Sequence, residues 1–281
     1  MMGSVIGDII GSKYEFHSTK QYGFELFKLG STFTDDTVLT VATAEALMSG
    51  EPFQNVYRRF FSSYANRGYG GSFKRWASSG GGQPYNSWGN GSAMRVSPVG
   101  WMYDEEQKVL DVAKATAEVT HNHEEGIRGA QSIAWCIWAA RKGKTKDEIK
   151  AGVKSRFGYN LDRKLDDIRP GYKFEVSCQK SVPESILCFL ESSDFESAIR
   201  LAVSMGGDAD TMGCITGGIA EAFYGKIPEA MAREAFNRLD NRLKVVVAKF
   251  CKEYVNKDFN LDQYNSNTPE DTVALMGTIF S

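Results

Sequence analysis

Residues 206–224 read GGDADTMGCITGGIAEAFY, and this stretch decides the fold class. From Thr211 to Tyr224 the pattern is helical, and Gly213, Cys214, Gly217, Gly218, Ala220 and Ala222 make that helix dense in small side chains. Such a helix lets neighbouring backbones come close, which places it at the centre of a helical protein. Gly206 and Gly207 end the segment before it. Asp208 and Asp210 stand at its start, where carboxylates suit the free amides and the helix dipole.

Outward from this segment the helical spacing continues. Val5, Ile6, Ile9 and Ile10 predict a first helix, interleaved by Gly3, Gly7 and Gly11 for tight packing. Thr37 to Met48 predicts a second, closed by Gly50, with Pro52 opening the next. Glu105–Val119 and Glu124–Ala140 follow the same period, and Thr145 with Glu148 forms a capping box for a helix ending near Gly158. A second box is expected at Ser193–Glu196, leading to Gly206. Residues 228–255 continue helical, and Thr268, Pro269, Glu270 and Asp271 predict a short last helix. Lys173–Ser177 is the best strand candidate. The expected class is all-α: a single compact orthogonal helical domain over residues 1–281, with 226–281 as its C-terminal helices.

Apolar content of 42% with 24% charged residues fits a globular chain. A net charge of −2 gives no basic face for nucleic acid or an anionic membrane. The five cysteines are odd in number and lack CxxC spacing, so reduced structural thiols and a cytoplasmic setting are expected. The N-terminus has no basic region, and Asp8 interrupts its apolar run, unlike a signal peptide. No run approaches the ~18 apolar residues of a membrane span. A monomer is the default expectation.

The chemistry lies in two distant acidic sets. Thr34, Asp35 and Asp36 open the second helix, as Asp208, Asp210 and Thr211 open the central one. Either alone reads as a helix cap. Together, at the starts of buried helices, their carboxylates would repel unless cations neutralised them. Oxygen ligands suit two Mg²⁺ or Mn²⁺ ions among the central helices, and the lack of His/Cys clustering argues against zinc. Residues 68–91 hold eight glycines among Tyr69, Phe73, Trp76, Tyr85 and Trp88, with a helical turn near 72–78. Aromatic side chains seek burial, so this is a ligand-lining loop rather than a linker. Gly89, Asn90 and Gly91 read either as a plain turn into a helix or as an amide nest for an anion. Glu15, seven positions beyond Asp8, shares its face if the first helix extends that far. His121 and His123 are spaced unlike a chelating pair.

Taken in order, the segments GSVIGDIIG (3–11) with Glu15, TDDT (34–37), GNGSAMR (89–95), THNH (120–123) and GGDADTMGCITG (206–217) resemble the ADP-ribosylglycohydrolases, of the dinitrogenase-reductase-activating glycohydrolase and ADP-ribosylhydrolase type. The resemblance spans residues 3 to about 225. It implies an all-α domain with a binuclear Mg²⁺ or Mn²⁺ site, liganded by Thr34, Asp35, Asp36, Asp208, Asp210 and Thr211. It implies a substrate in which ADP-ribose is linked to a protein or a small acceptor, with Glu15 and Asp36 as catalytic carboxylates whose division of labour stays open. By the same resemblance Ser87, Trp88, Gly89, Asn90, Gly91 and His121 contact the ligand, Trp88 by stacking on adenine, while His123 is structural. Stacking of this kind is worth ~1–3 kcal/mol per base. Arginine-directed members can carry an acid where Ser87 stands, which weighs against an arginine acceptor. Two other functions fit parts of the pattern: an ADP-ribose reader without turnover, and a binuclear phosphohydrolase.

Overall fold

Glycines four apart make a groove along one face of a helix, and two such grooves meet at the centre of this protein. The computed structural model describes residues 1–80 and 82–259. Helix α1 (Met2–Gly11) lies antiparallel to the helix beginning at Ala209, with Gly3 against Gly217, Gly7 against Gly213 and Gly11 against Ala209. A β-carbon on Gly7 would stand 1.9 Å from the Gly213 carbonyl oxygen, so only glycine permits the approach. Every residue of α1 is buried.

The chain reaches its partner through α2 (Asp35–Ser49), α3 (Phe53–Ser63), α4 (Gly71–Ser78), α5 (Gly91–Met94), α6 (Ser97–Met102), α7 (Glu106–Glu118), α8 (Glu124–Arg141), α9 (Lys146–Phe157), α10 (Leu165–Ile168), α11 (Cys178–Glu191) and α12 (Phe195–Val203). The central partner is α13 (Ala209–Tyr224), followed by α14 (Glu229–Asn237), α15 (Asn241–Phe250) and a π-helical turn, Cys251–Val255. Helices α8, α11 and α12 pack around α13, while α2 and α14 pack on α1. The protein is all-α, a single compact helical domain. No helix of the described residues is long and apolar enough to cross a membrane, and all five cysteines are free and buried.

Local signals set most boundaries. Thr34 caps α2, its Oγ1 accepting from the Asp36 amide at 3.3 Å, and Gly50 ends it in the left-handed region at φ 72°. The Thr145–Glu148 box opens α9 as expected. The second box forms one residue later than expected, between Asp194 and Ser197: Asp194 Oδ1 accepts from Ser197 N at 2.7 Å and Ser197 Oγ from Asp194 N at 2.9 Å. Residues 228–255 divide after Asn237, since Asp240 accepts from the Leu243 amide at 3.0 Å and starts α15 afresh. The segment 173–177 is not a strand. It makes one antiparallel bridge, Ser177 to Gly89, flanked by hydrogen bonds from Asn90 N to Val176 O (2.7 Å) and Cys178 N to Trp88 O (2.9 Å). That bridge pins the turn that enters α5. The helix expected from Thr268 lies outside the described residues.

Candidate metal centre and ligand cavity

The antiparallel pairing brings the last turn of α1 to the first turn of α13, and so Asp8 to Asp210. Asp8 is fully buried and ties in α2. Its carboxylate accepts from Thr34 N (3.0 Å), Thr34 Oγ1 (2.7 Å) and Thr37 N (3.0 Å), capping α2 from a neighbouring helix. Three helix ends therefore converge, and each delivers acids.

Two clusters result, sharing Asp210. One oxygen each of Asp8, Asp36 and Asp210 lie within 4.8 Å of one another, and so do oxygens of Glu15, Asp208 and Asp210. Asp36 Oδ2 accepts from Thr211 Oγ1 at 3.2 Å, whereas its Oδ1 is buried without a partner. Asp208 accepts from Asn90 Nδ2 at 2.7 Å. Burial, then the charges of neighbouring acids, hold Asp35, Asp36 and Asp210 well above the ordinary carboxylate range. Asp208 is pushed up to about 6, chiefly by burial. Orphaned carboxylate oxygen and mutual repulsion are the conditions a hard cation relieves, and every donor here is oxygen. These residues could hold metal.

Glu15 arrives by a different route from the one expected. Helix α1 stops at Gly11, and a turn closed by Tyr14 N to Gly11 O (2.7 Å) carries Glu15 back over the cluster. Burial and then Asp210 raise its carboxyl to about 8. The segment bearing it is held down where Lys20 Nζ donates to the carbonyls of Tyr172 and Met205.

The clusters form one wall of a cavity of about 360 Å³. Asp35 lines it too, without joining either cluster. The facing wall holds Ser87, Gly89, Asn90, Gly91 and His121, with Phe73, Tyr85, Phe174 and Val176 supplying apolar surface. Thus Phe73 and Tyr85 of the glycine-rich segment reach the cavity, while Tyr69 and Trp76 are buried in the core. Trp88 does not line it: the ring is 52% exposed and sits edge-on to His123, 5.5 Å between centroids. His123 caps α8, its Nδ1 accepting from Glu125 N at 3.1 Å. At the turn, Gly89 N donates to Ser87 Oγ (3.0 Å) and Asn90 N to Val176 O (2.7 Å), so those amides are already engaged within the fold.

Asp8 was noted in the sequence within the first-helix motif and not as a site residue. Its signal was an ionisable residue inside an apolar, glycine-spaced helix, which is costly unless partnered. Phe174 and Val176 carried no such signal, because an exposed apolar residue in an irregular segment is ordinary.

An all-helical protein whose central helix ends converge as a carboxylate wall on a ligand-sized cavity is a restricted class. Residues 1–258 match the ADP-ribosylglycohydrolase family, and the chain belongs to it. Among characterised proteins it is similar to ADP-ribosylhydrolase ARH3 of Homo sapiens, 26% identical over 312 residues, covering 82% of this chain and 86% of that one. It is likewise similar to ADP-ribosylarginine hydrolase Tri1 of Pseudomonas putida (strain GB-1), 26% identical over 262 residues, covering 80% of this chain and 69% of that one. A solved chain of an ADP-ribosylglycohydrolase-related protein complex shares the fold, with a TM-score of 0.67 at 24% identity over 87% of this chain and 92% of that one.

Proposed function

We propose that the protein hydrolyses the glycosidic bond joining ADP-ribose to a modified protein side chain or small acceptor, with two Mg²⁺ or Mn²⁺ ions held by Thr34, Asp35, Asp36, Asp208, Asp210 and Thr211. Asp8 supports this set by fixing Thr34 and lending charge. The observation that carries the proposal is the pair of buried carboxylate clusters sharing Asp210 on one wall of the cavity. Bound there, the ions would supply hard Lewis-acid charge to orient the terminal ribose hydroxyls, and the surrounding carboxylates would offset the positive charge that develops in the oxocarbenium-like transition state.

The remaining work falls to the chain. Glu15, its carboxyl raised by burial and then by Asp210, overhangs the ribose end and protonates the leaving acceptor atom as the C1″ bond breaks. Water then adds at C1″ and gives its proton to the Glu15 carboxylate left by the first transfer, while Asp36 holds that end of the site in register through Thr211. The diphosphate is placed beside Gly91 and His121, since the amides of Gly89 and Asn90 are engaged. Tyr85 and Phe174 offer apolar surface to the nucleoside inside the cavity, in place of the outward-lying Trp88. Ser87 in place of an acid favours a hydroxyl-linked acceptor over a guanidinium.

A panel of peptides bearing ADP-ribose on serine, arginine or other side chains, incubated with Mg²⁺ or Mn²⁺, tests this directly. Intact ADP-ribose should be released, and chelator should abolish release. AMP plus ribose phosphate would instead reveal a diphosphate hydrolase. Tight ADP-ribose binding with every conjugate left intact would reveal a reader.

A further inference from the structure

We propose that Arg95 and Thr120 are positioning residues that hold His121 as its Nε2–H tautomer, so that a neutral imidazole presents one N–H donor beside the Gly89–Gly91 turn of the cavity. The inference rests on the preceding section only for the ligand's identity. The hydrogen-bond geometry stands without it.

Arg95 is fully buried, which is costly for a group that never loses its charge. Its guanidinium lies over the Tyr57 ring, 4.6 Å from the centroid, and Nη2 donates to Thr116 O at 2.7 Å and Thr120 Oγ1 at 2.8 Å. Thr120 Oγ1 in turn lies 2.7 Å from His121 Nδ1. A guanidinium has donors only, so the Thr120 oxygen must accept from it. With that lone pair engaged, the single hydroxyl proton is available to Nδ1, which in the proposed arrangement presents a lone pair. A neutral imidazole accepting at Nδ1 carries its proton on Nε2.

The ring is kept neutral by its surroundings. Burial, and then the Arg95 charge, hold the His121 imidazole well below the usual histidine range. The edge of Tyr85 packs against it, 5.7 Å between centroids, which limits its rotation. Nε2 is aimed at the turn: it lies 3.0 Å from where a β-carbon on Gly91 would stand and 3.6 Å from one on Gly89. Glycine at both positions leaves that N–H open to a bound group. A neutral donor binds an anionic oxygen there without adding a cation that the nearby carboxylates would attract.

The sequence has three histidines, so ¹⁵N-histidine labelling and long-range proton–nitrogen correlation resolve the His121 tautomer in the whole protein. At neutral pH wild-type His121 should show a protonated Nε2 and a lone-pair Nδ1. Thr120→Val, which keeps the shape but removes the hydroxyl, should populate the Nδ1–H form and weaken ADP-ribose binding about tenfold, the loss typical of one hydrogen bond to a charged group. Thr120→Ser should restore both. A wild-type ring protonated on Nδ1, or a spectrum unchanged in Thr120→Val, overturns the proposal. Should Thr120→Val not fold, the wild-type spectrum decides alone. If the tautomer behaves as stated while ADP-ribose binds no form of the protein, the proposed function fails and the positioning stands. If conjugates are hydrolysed while Nδ1 carries the proton, the reverse holds.

Discussion

Asp210 belongs to both carboxylate clusters, and the charged neighbours acting on it are acids. Without cations its charge opposes folding, so Asp210→Asn should stabilise the chelated protein by roughly 1–3 kcal/mol, seen as a higher urea midpoint at unchanged slope. The same variant should lose the added stability that Mg²⁺ gives the wild type. A chelated variant no more stable than wild type would show that burying this carboxylate among its acidic neighbours carries no cost to folding. Glu15 is half-buried in one of the same clusters, and the proposed chemistry makes it the proton donor. Replacing it with glutamine keeps its shape, so single-turnover release should slow by about 10²–10⁴-fold while ADP-ribose affinity, read by calorimetry, changes little. Parallel loss of affinity would make Glu15 a binding residue.

At the scale of elements, the contact of α1 with α13 is what makes a site out of separate helix caps. An alanine within an ordinary exposed helix is better than glycine by about 1 kcal/mol, but Gly7 faces the Gly213 carbonyl with no room for a β-carbon. Gly7→Ala should therefore cost about 3 kcal/mol or more in urea unfolding. It should also weaken the response to Mg²⁺, because Asp8 moves with the helix. A stable Gly7→Ala protein with an intact metal response would mean that the close approach is dispensable. The spacing of Gly3, Gly7 and Gly11 was legible in the sequence, as were the Thr34 and Thr145 caps, since both depend on residues within a turn of each other. The shift of the second box to Asp194 was not, because Ser193 and Asp194 are adjacent residues of capping type and neighbouring sequence does not choose between them.

For the whole molecule, cation binding at the proposed centre would be linked to folding. If the ions bind only the folded site, each present at 100 times its dissociation constant adds about 2.7 kcal/mol. Scanning calorimetry should therefore show a melting temperature several degrees higher with Mg²⁺ or Mn²⁺ than with chelator, reversible on adding metal back. A melting curve indifferent to metal and chelator would remove the ions from the proposed chemistry.

The sequence by itself determined an all-α protein with a central small-residue helix, two acid-bearing helix starts and a glycine-rich aromatic segment, because helical period and capping are written in neighbouring residues. Tertiary structure alone decided which of these meet. Asp8 reaches Thr34 across 26 positions, Asn90 reaches Asp208 across 118, and Thr211 reaches Asp36 across 175. The outward position of Trp88, the return of Glu15 after α1 has ended, and the Arg95–Thr120–His121 chain likewise depend on helices packing from distant parts of the chain. Local periodicity carries no record of those distances, so the proposed ligands were legible as residue types and the cavity they line was not.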